Sequence, residues 1–301
     1  MNDIRFDGKV ALVTGAGGGL GRLYALGLAA RGAKIIVNDL GGGVDGAGQS
    51  SSAAQAVVDE IKAAGGEAVA NHASVTDAGA MEKLVEDAVA RWDSLDILIA
   101  NAGILRDKSF AKLGKDDFEA VVDVHLIGTM VPIRAAWAQM KEQNYGRIVV
   151  TTSSSGLYGN FGQANYGAAK LGIIGLMNTL RIEGQKNDIR VNAISPVAAT
   201  RMTENLASSE VLARIRPEYV APGVLYLCSG EAPSGAILTA GAGTMALARI
   251  FETEGHYFGD DGPSVEAVRD NWEAISSEKG QRAYALGDEQ AQKFFRQAGM
   301  S

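Results

Sequence analysis

QANYGAAK, residues 163 to 170, places Tyr166 and Lys170 four positions apart, so on a helix both side chains share one face. A phenol with an ordinary pKa of about 10 is a poor base near neutrality. An ammonium beside it favours the phenolate and lowers that value, which makes the pair a candidate proton donor and acceptor. Thirteen residues upstream, TTSSSG offers Ser153, whose hydroxyl can bind the oxygen that the tyrosine protonates or deprotonates. Thr152, Ser154 and Ser155 compete for that role. The motif alone leaves two plainer readings open: a surface helix pair, and hydroxyls that only satisfy local backbone groups.

Other residues point to a cofactor. TGAGGGLG (14 to 21) holds Gly15, Gly19, Leu20 and Gly21 in a G-x-x-x-G-x-G spacing that differs from the G-x-G-x-x-G fingerprint. Placed between a strand and a helix, its backbone N–H groups and the positive helix end would receive a pyrophosphate. A flexible turn is the alternative. Asp39 closes the next apolar run, where a carboxylate accepts from both ribose hydroxyls of an adenosine and repels a 2′-phosphate. No Lys or Arg follows within LGGGVDG, so NAD is expected over NADP. IANAG (99 to 103) adds Asn101, Ala102 and Gly103 as a small-residue approach beside the adenine ribose. VVDVHLIGTM (121 to 130) buries His125 in an apolar stretch, either as a packed ring or as part of the chemistry. His72 and His256 lie in segments remote from these motifs. No Cys, His or carboxylate cluster accompanies them, so no metal is expected.

The elements that must position these residues alternate along the chain. Apolar, β-branched runs at 9 to 15, 33 to 39, 67 to 74, 95 to 103, 147 to 153, 189 to 195 and 236 to 241 read as strands. Stretches around 20 to 31, 52 to 64, 77 to 91, 116 to 141, 164 to 186 and 217 to 229 read as helices. Continuous apolar strands separated by helices predict an α/β fold: a Rossmann-type doubly wound parallel sheet of about seven strands with helices on both faces. The expected division is a dinucleotide-binding catalytic domain over 1 to 242 and a helical extension over 243 to 301 packed on it, without a core of its own.

Composition narrows the partners. A formal net charge of −7 with no basic run argues against nucleic acid. Thirty-eight glycines against six prolines suit many tight turns and close backbone approaches. The single Cys228 excludes an intramolecular disulfide and fits a reducing compartment. The polar start MNDIRFDGKV does not read as a secretory leader, the end AGMS is not a peroxisomal tripeptide, and no apolar run approaches the ~20 residues of a membrane helix. A cytoplasmic protein without membrane insertion is the expectation.

TGAGGGLG, Asp39, ANAG (100 to 103), Ser153, Tyr166, Lys170 and SPVAAT (195 to 200), in that order over residues 5 to 242, resemble the short-chain dehydrogenase/reductase family. The resemblance implies NAD(P)-dependent hydride transfer between a secondary alcohol and a ketone. Tyr166 would be the acid/base, Lys170 would hold the nicotinamide ribose and tune the tyrosine, and Ser153 would position the carbonyl. It also implies cofactor contacts from Ser74, Val75, Pro196, Val197 and Thr200. His125 stands where most of the family carries an asparagine that links the lysine to solvent through a water; a packed helix residue and a part in that path both stay open.

FDGKVALVTGAGGGLGR, NAGILRDKSF, YGNFGQANYGAAKLG and RPEYVAPGVLYLC are similar, more particularly, to the (3R)-hydroxyacyl-CoA dehydrogenase branch, the dehydrogenase part of type 2 peroxisomal multifunctional enzymes. That likeness runs to about residue 275 and would make this chain a freestanding, bacterial relative. It implies oxidation of 3-hydroxyacyl-CoA to 3-oxoacyl-CoA. A CoA tail needs cations, for which Arg106, Lys108, Lys112 and Arg201 are candidates, with ordinary surface charge the plainer reading of any single one, and residues 197 to 216 would form a lid. A 17β-hydroxysteroid or a sterol side-chain acyl-CoA is the alternative substrate, and an NAD-binding regulatory protein the alternative class. The resemblance also implies a homodimer or homotetramer, paired through the long helices 116 to 141 and 164 to 186. Two departures stand out: Ala100 precedes Asn101 where the family often has a second asparagine, and Val197 follows Pro196 where it usually has glycine.

Overall fold

Seven apolar runs form the seven expected strands: β1 (Val10–Thr14), β2 (Lys34–Asn38), β3 (Glu67–Asn71), β4 (Ile97–Ala100), β5 (Gly146–Thr151), β6 (Ile189–Val197) and β7 (Ile237–Gly241). All seven are parallel, because each of the first six is followed by a crossover segment long enough to bring the next strand in along the same direction. Every residue of β1, β4 and β5 is buried, as strands covered by helices on both faces must be. The computed structural model describes residues 3–46, 48, 50–199 and 208–300.

An eighth strand was not legible. β8 (Thr244–Ala248) follows β7 through a two-residue turn in which Ala242 and Gly243 both take positive φ, 49° and 78°, and it joins the sheet beyond β7. That pair of left-handed residues is the hairpin turn whose twist matches the strands. The order is therefore β3-β2-β1-β4-β5-β6-β7-β8. The chain reverses its direction of progress across the sheet between β3 and β4, so the carboxyl ends of β1 and β4 flank the crevice where such sheets bind ligands.

The helices are α1 (Gly19–Ala29), α2 (Ser52–Ala63), α3 (Ala78–Trp92), α4 (Lys115–Val122), α5 (Gly128–Glu142), α6 (Ser154–Tyr158), α7 (Ala164–Glu183), α8 (Ser209–Arg214) and α9 (Ala221–Leu227). Two results differ from the sequence reading. The stretch 116 to 141 is not one α-helix: a π turn, Asp123–Ile127, separates α4 from α5 and carries His125. Such turns often mark functional sites. The same run, Lys115–Glu142, is also long and apolar enough to cross a membrane by length and composition. Here it packs on α3 and α7 with Val131, Ile133, Ala136 and Met140 buried, so its apolar face serves the core.

The chain divides into two units, 1–247 and 248–301. The boundary falls at the last residue of β8. The second holds α10 (Val265–Asp270), α11 (Trp272–Ser276) and α12 (Gly287–Gln297), with Glu252 and Arg282 bridged through their backbones. Lys293 is the one buried side chain among its described residues, and its ammonium pairs with the Glu252 carboxylate and donates to Thr253 O at 3.1 Å.

Candidate active site

The loops that leave the carboxyl ends of β1 to β6 surround one cleft of about 460 Å³. Its glycine side is built largely from backbone. α1 begins at Gly19 with Gly18 as its N-cap, no side chain caps it, and its first turn holds no acidic residue. The helix end therefore keeps free N–H groups and its partial positive charge beside the cleft, which Gly15, Gly18, Gly19 and Leu20 line. Gly21, expected in the same role, does not line it. A Cβ there would lie 2.2 Å from Gly15 O, so the missing side chain lets α1 pack on the turn that precedes it.

Asn101 fastens that turn to β4. Its Nδ2 donates to Thr14 O and Gly15 O, both at 3.1 Å, while its own N–H donates to Thr14 Oγ1 at 3.0 Å. One amide after β4 suffices for this clamp. The Asp39 carboxylate accepts the Gly17 N–H on one oxygen and the Gly41 N–H on the other, each at 2.7 Å. It therefore caps two loops while it lines the cleft, and each oxygen keeps a second lone pair for an incoming hydroxyl. His72 is closer than its sequence position suggested: its Nδ1 lies 3.3 Å from Asp39 O. Ser74 and Val75 line the cleft next to Ala102 and Gly103. Buried Asn38 holds the segment before them by donating to Asn71 Oδ1 at 2.8 Å and Ala73 O at 2.9 Å.

The opposite side is built from side chains. Tyr166 sits in the first turn of α7 and Lys170 one turn on, its Nζ 5.5 Å from the tyrosine ring centre. Both line the cleft with Ser153, which caps α6. Two of the competing hydroxyls are otherwise engaged, and the third, Ser154, also lines the cleft. Thr152 Oγ1 donates to Lys170 O at 2.7 Å, Ser155 Oγ donates to Gln163 Oε1 at 2.7 Å, and Ser154 is exposed. Lys170 is buried and donates to Thr151 O at 2.6 Å. Burial draws its pKa down to about 7. Burial pushes the Tyr166 phenol up, the hydrogen bond with Ser153 pulls it back, and the Asp107 charge pushes it up again. The expected lowering by the ammonium is not met, because above pH ~7 a lysine with so low a pKa is mostly neutral.

His125 is 2% exposed, and its ring stands edge-on to Tyr166 with centres 5.0 Å apart. Its Nε2 lies 2.7 Å from Ile104 O and 3.1 Å from Ile104 N, so it donates to the carbonyl in one tautomer and accepts the N–H in the other. Nδ1 is buried and has no hydrogen-bond partner. Burial, then the Lys170 charge, hold the imidazole well below its usual pKa, so the ring is neutral near pH 7. A Cβ on Gly103 would fall 2.2 Å from His125 Cε1: glycine is required for the ring to lie there. Among the described residues no group of His, Cys, Asp or Glu side chains could hold a metal ion.

Pro196 and Val197 line the cleft at the end of β6. Thr200 and Arg201 lie outside the described residues. Of the expected lid, Ile215 reaches the cleft and its carbonyl accepts the Ala199 N–H at 2.7 Å. The rim cations are partly committed: Lys108 Nζ pairs with Asp117 at 2.6 Å, and Arg106 lies 3.6 Å from the same carboxylate while donating to Asp45 O at 3.1 Å. The sequence reading missed Val44, Leu105, Asn160 and Gln163 as lining residues. Gln163 stands in the same QANY segment as Tyr166, but only its partners reveal what it holds.

Residues 9–211 match the short chain dehydrogenase family model. Peroxisomal multifunctional enzyme type 2 of Mus musculus is 53% identical over 275 residues, which are 90% of this chain and 37% of that protein. The structure of full-length peroxisomal multifunctional enzyme type 2 from Drosophila melanogaster superposes with a TM-score of 0.82 at 38% identity, over 97% of this chain and 50% of that one. This chain thus spans half or less of these two relatives. A 7α-hydroxysteroid dehydrogenase complexed with NADH and 7-oxo glycochenodeoxycholic acid superposes with a TM-score of 0.72 at 29% identity, over 81% of this chain and 98% of that one. With an uncapped helix end, a carboxylate with open lone pairs and a tyrosine, lysine and serine in one cleft, the chain belongs to the short-chain dehydrogenase family of nicotinamide-dependent oxidoreductases.

Proposed function

We propose that this chain is an NAD-dependent dehydrogenase that oxidises (3R)-3-hydroxyacyl-CoA to 3-oxoacyl-CoA. The observation that carries it is the convergence of Ser153, Tyr166 and Lys170 on one cleft wall, facing the uncapped end of α1. The likeness to type 2 multifunctional enzymes supports the acyl-CoA substrate. When bound, the nicotinamide supplies the acceptor for the hydride that leaves C3. Tyr166 passes its own proton toward Lys170 and takes the hydroxyl proton as the carbonyl forms, and Ser153 holds that oxygen against the phenol. Lys170, on the same helix face, binds the nicotinamide ribose and charges when the site gains a hydrogen-bonding partner. Asp39 accepts from the adenosine ribose and repels a 2′-phosphate, which supports NAD. The unpartnered Nδ1 of His125 gives a water a hydrogen-bonding site between Tyr166 and Lys170, so we assign the ring to the proton path. Assembly as a homodimer or homotetramer and a cytoplasmic location belong to the same reading.

The likeness to a 7α-hydroxysteroid dehydrogenase supports a second reading, in which a hydroxysteroid fills the same cleft. Purified protein with 3-hydroxyacyl-CoA esters of several lengths, hydroxysteroids, NAD and NADP decides between them. NADH absorbance growing with the (3R)-acyl-CoA is expected. A larger kcat/KM for a free steroid would reverse the order, and no reduced cofactor with any alcohol would leave only a binding protein.

A further inference from the structure

Behind Ser153 runs a polar chain that the proton transfer described above does not use. Asp107, in the segment after β4, accepts from Gln163 Nε2 at 2.6 Å. Gln163 Oε1 accepts from Ser155 Oγ at 2.7 Å and from Asn160 Nδ2 at 3.1 Å. The Ser155 N–H in turn donates to Ser153 Oγ at 3.2 Å. Gln163 is 9% exposed, lines the cleft, and lies three residues before Tyr166. Its amide ties together the loop holding Asp107, the start of α6 and the entry to α7.

An amide has a donating and an accepting end, whereas a carboxylate only accepts. Asp107 therefore dictates which way Gln163 points: a flipped amide would set Oε1 against the carboxylate and leave the Ser155 hydroxyl without its acceptor. With the amide so fixed, both lone pairs of Oε1 are filled, and the Ser155 N–H occupies one lone pair of Ser153 Oγ. The serine keeps one lone pair and one proton, enough for the tyrosine hydroxyl and one substrate oxygen.

We propose that Asp107 and Gln163 are positioning residues for the redox reaction: the carboxylate orients the amide, and the amide, through Ser155, sets where Ser153 Oγ sits and which valences it offers. This rests on the dehydrogenase reading. It couples the loop 104 to 108 to the reacting centre, so a change in that loop reaches Ser153 without touching substrate.

Gln163→Glu is the informative variant. While protonated, the introduced carboxyl can donate to Asp107 and accept from Ser155, reproducing the amide; once ionised, it faces a second carboxylate at hydrogen-bond distance. Like charges that close raise the pKa of one partner. The charged and titratable groups facing Tyr166 are Lys170 on α7, His125 on the π turn and Asp107, and the substitution adds one titratable carboxyl in contact with Asp107, Ser155 and Asn160. The expected result is a kcat near the wild-type value at acid pH that falls at least tenfold as pH rises through the variant's new ionisation, while the cofactor KM stays within twofold. Asp107→Asn, which can still accept from Gln163, should keep kcat within about threefold, and Asp107→Ala should lose tenfold or more. If Gln163→Glu follows the wild-type pH profile, or Asp107→Asn and Asp107→Ala fall equally, the positioning role is wrong. Wild-type protein without turnover would instead remove the dehydrogenase reading and this inference with it.

Discussion

On the glycine side of the cleft the atoms that meet a ligand are backbone N–H groups and one carboxylate, held by clamps such as Asn101 on Thr14 and Gly15. On the tyrosine side they are side chains, and the groups that hold them are themselves side chains: Gln163 on Ser155, the His125 ring against Tyr166, Thr152 on the Lys170 carbonyl. The first side resists substitution by shape, since a Cβ meets backbone there. The second resists by chemistry, since the replaced atom carries a proton. Substitutions on the two sides should therefore separate in kinetics, with binding lost on one and turnover on the other.

The largest effect belongs to Tyr166. Tyr166→Phe removes the proton acceptor and leaves the glycine side untouched, so kcat should fall by about 10²–10⁴-fold, the usual worth of a positioned acid/base. Cofactor affinity, read by quenching of protein fluorescence, should change less than twofold. Retained turnover would move the base elsewhere; lost cofactor binding would mean that the two sides are not separable.

Asp39→Asn tests the other side. The amide keeps the shape but turns one acceptor into a donor, against the N–H of Gly17 or Gly41. A buried donor left facing a donor costs about 1–3 kcal/mol, a factor of roughly 5–150 in affinity. NAD KM should rise by that order with kcat nearly unchanged, and the ratio of NAD to NADP efficiency should fall. A drop in kcat at constant KM would dissolve the distinction between the sides.

Where the two sides meet, Gly103 touches His125. Gly103→Ala puts a methyl 2.2 Å from the ring carbon and should displace the imidazole from Ile104, reducing kcat about tenfold. His125→Asn alone should preserve turnover within a few-fold if an asparagine can serve the same water. The double variant should recover most of what Gly103→Ala loses, a coupling of about 0.5–3 kcal/mol in a double-mutant cycle. Additive losses would mean that the ring and the glycine act separately.

How much of this was legible in the sequence follows the same division. Strands buried on both faces announce themselves as apolar runs, and all seven were read within a few residues; β8 was not, because its faces are mostly exposed and its signal lies in two left-handed turn residues, one of them an alanine. Gly15, Asp39, Tyr166 and Lys170 could be placed because spacing along one element fixes their relation. The Asp107–Gln163 pair could not, since its members are 56 residues apart and nothing local marks the pairing. The direction of the Tyr166 shift was misread for a related reason: a neighbouring ammonium is visible in Y-x-x-x-K, but the burial that neutralises it is a property of the folded cleft.

That burial gives the last and smallest effect a defined sign. Lys170 has a folded pKa of about 7 against an ordinary value of 10.5. Below pH ~7 the lysine is protonated in both states and the cost of burying the ammonium is fully present. Between about 7 and 10.5 the unfolded chain holds a proton that the folded one does not, so stability rises with pH across that window. Lys170→Met keeps the length of the side chain and removes the titration, at the loss of the bond to Thr151 O, worth about 1 kcal/mol. Its Tm should exceed that of the wild type at pH 6 by several degrees, at about 2–4 °C per kcal/mol for a domain of this size. The gap should close, and then reverse by the worth of the lost bond, as pH approaches 10, because only the wild type gains. A difference in Tm that stays constant with pH would show that Lys170 is charged in the folded protein throughout, and the ammonium, not its burial, would then dominate the tyrosine beside it.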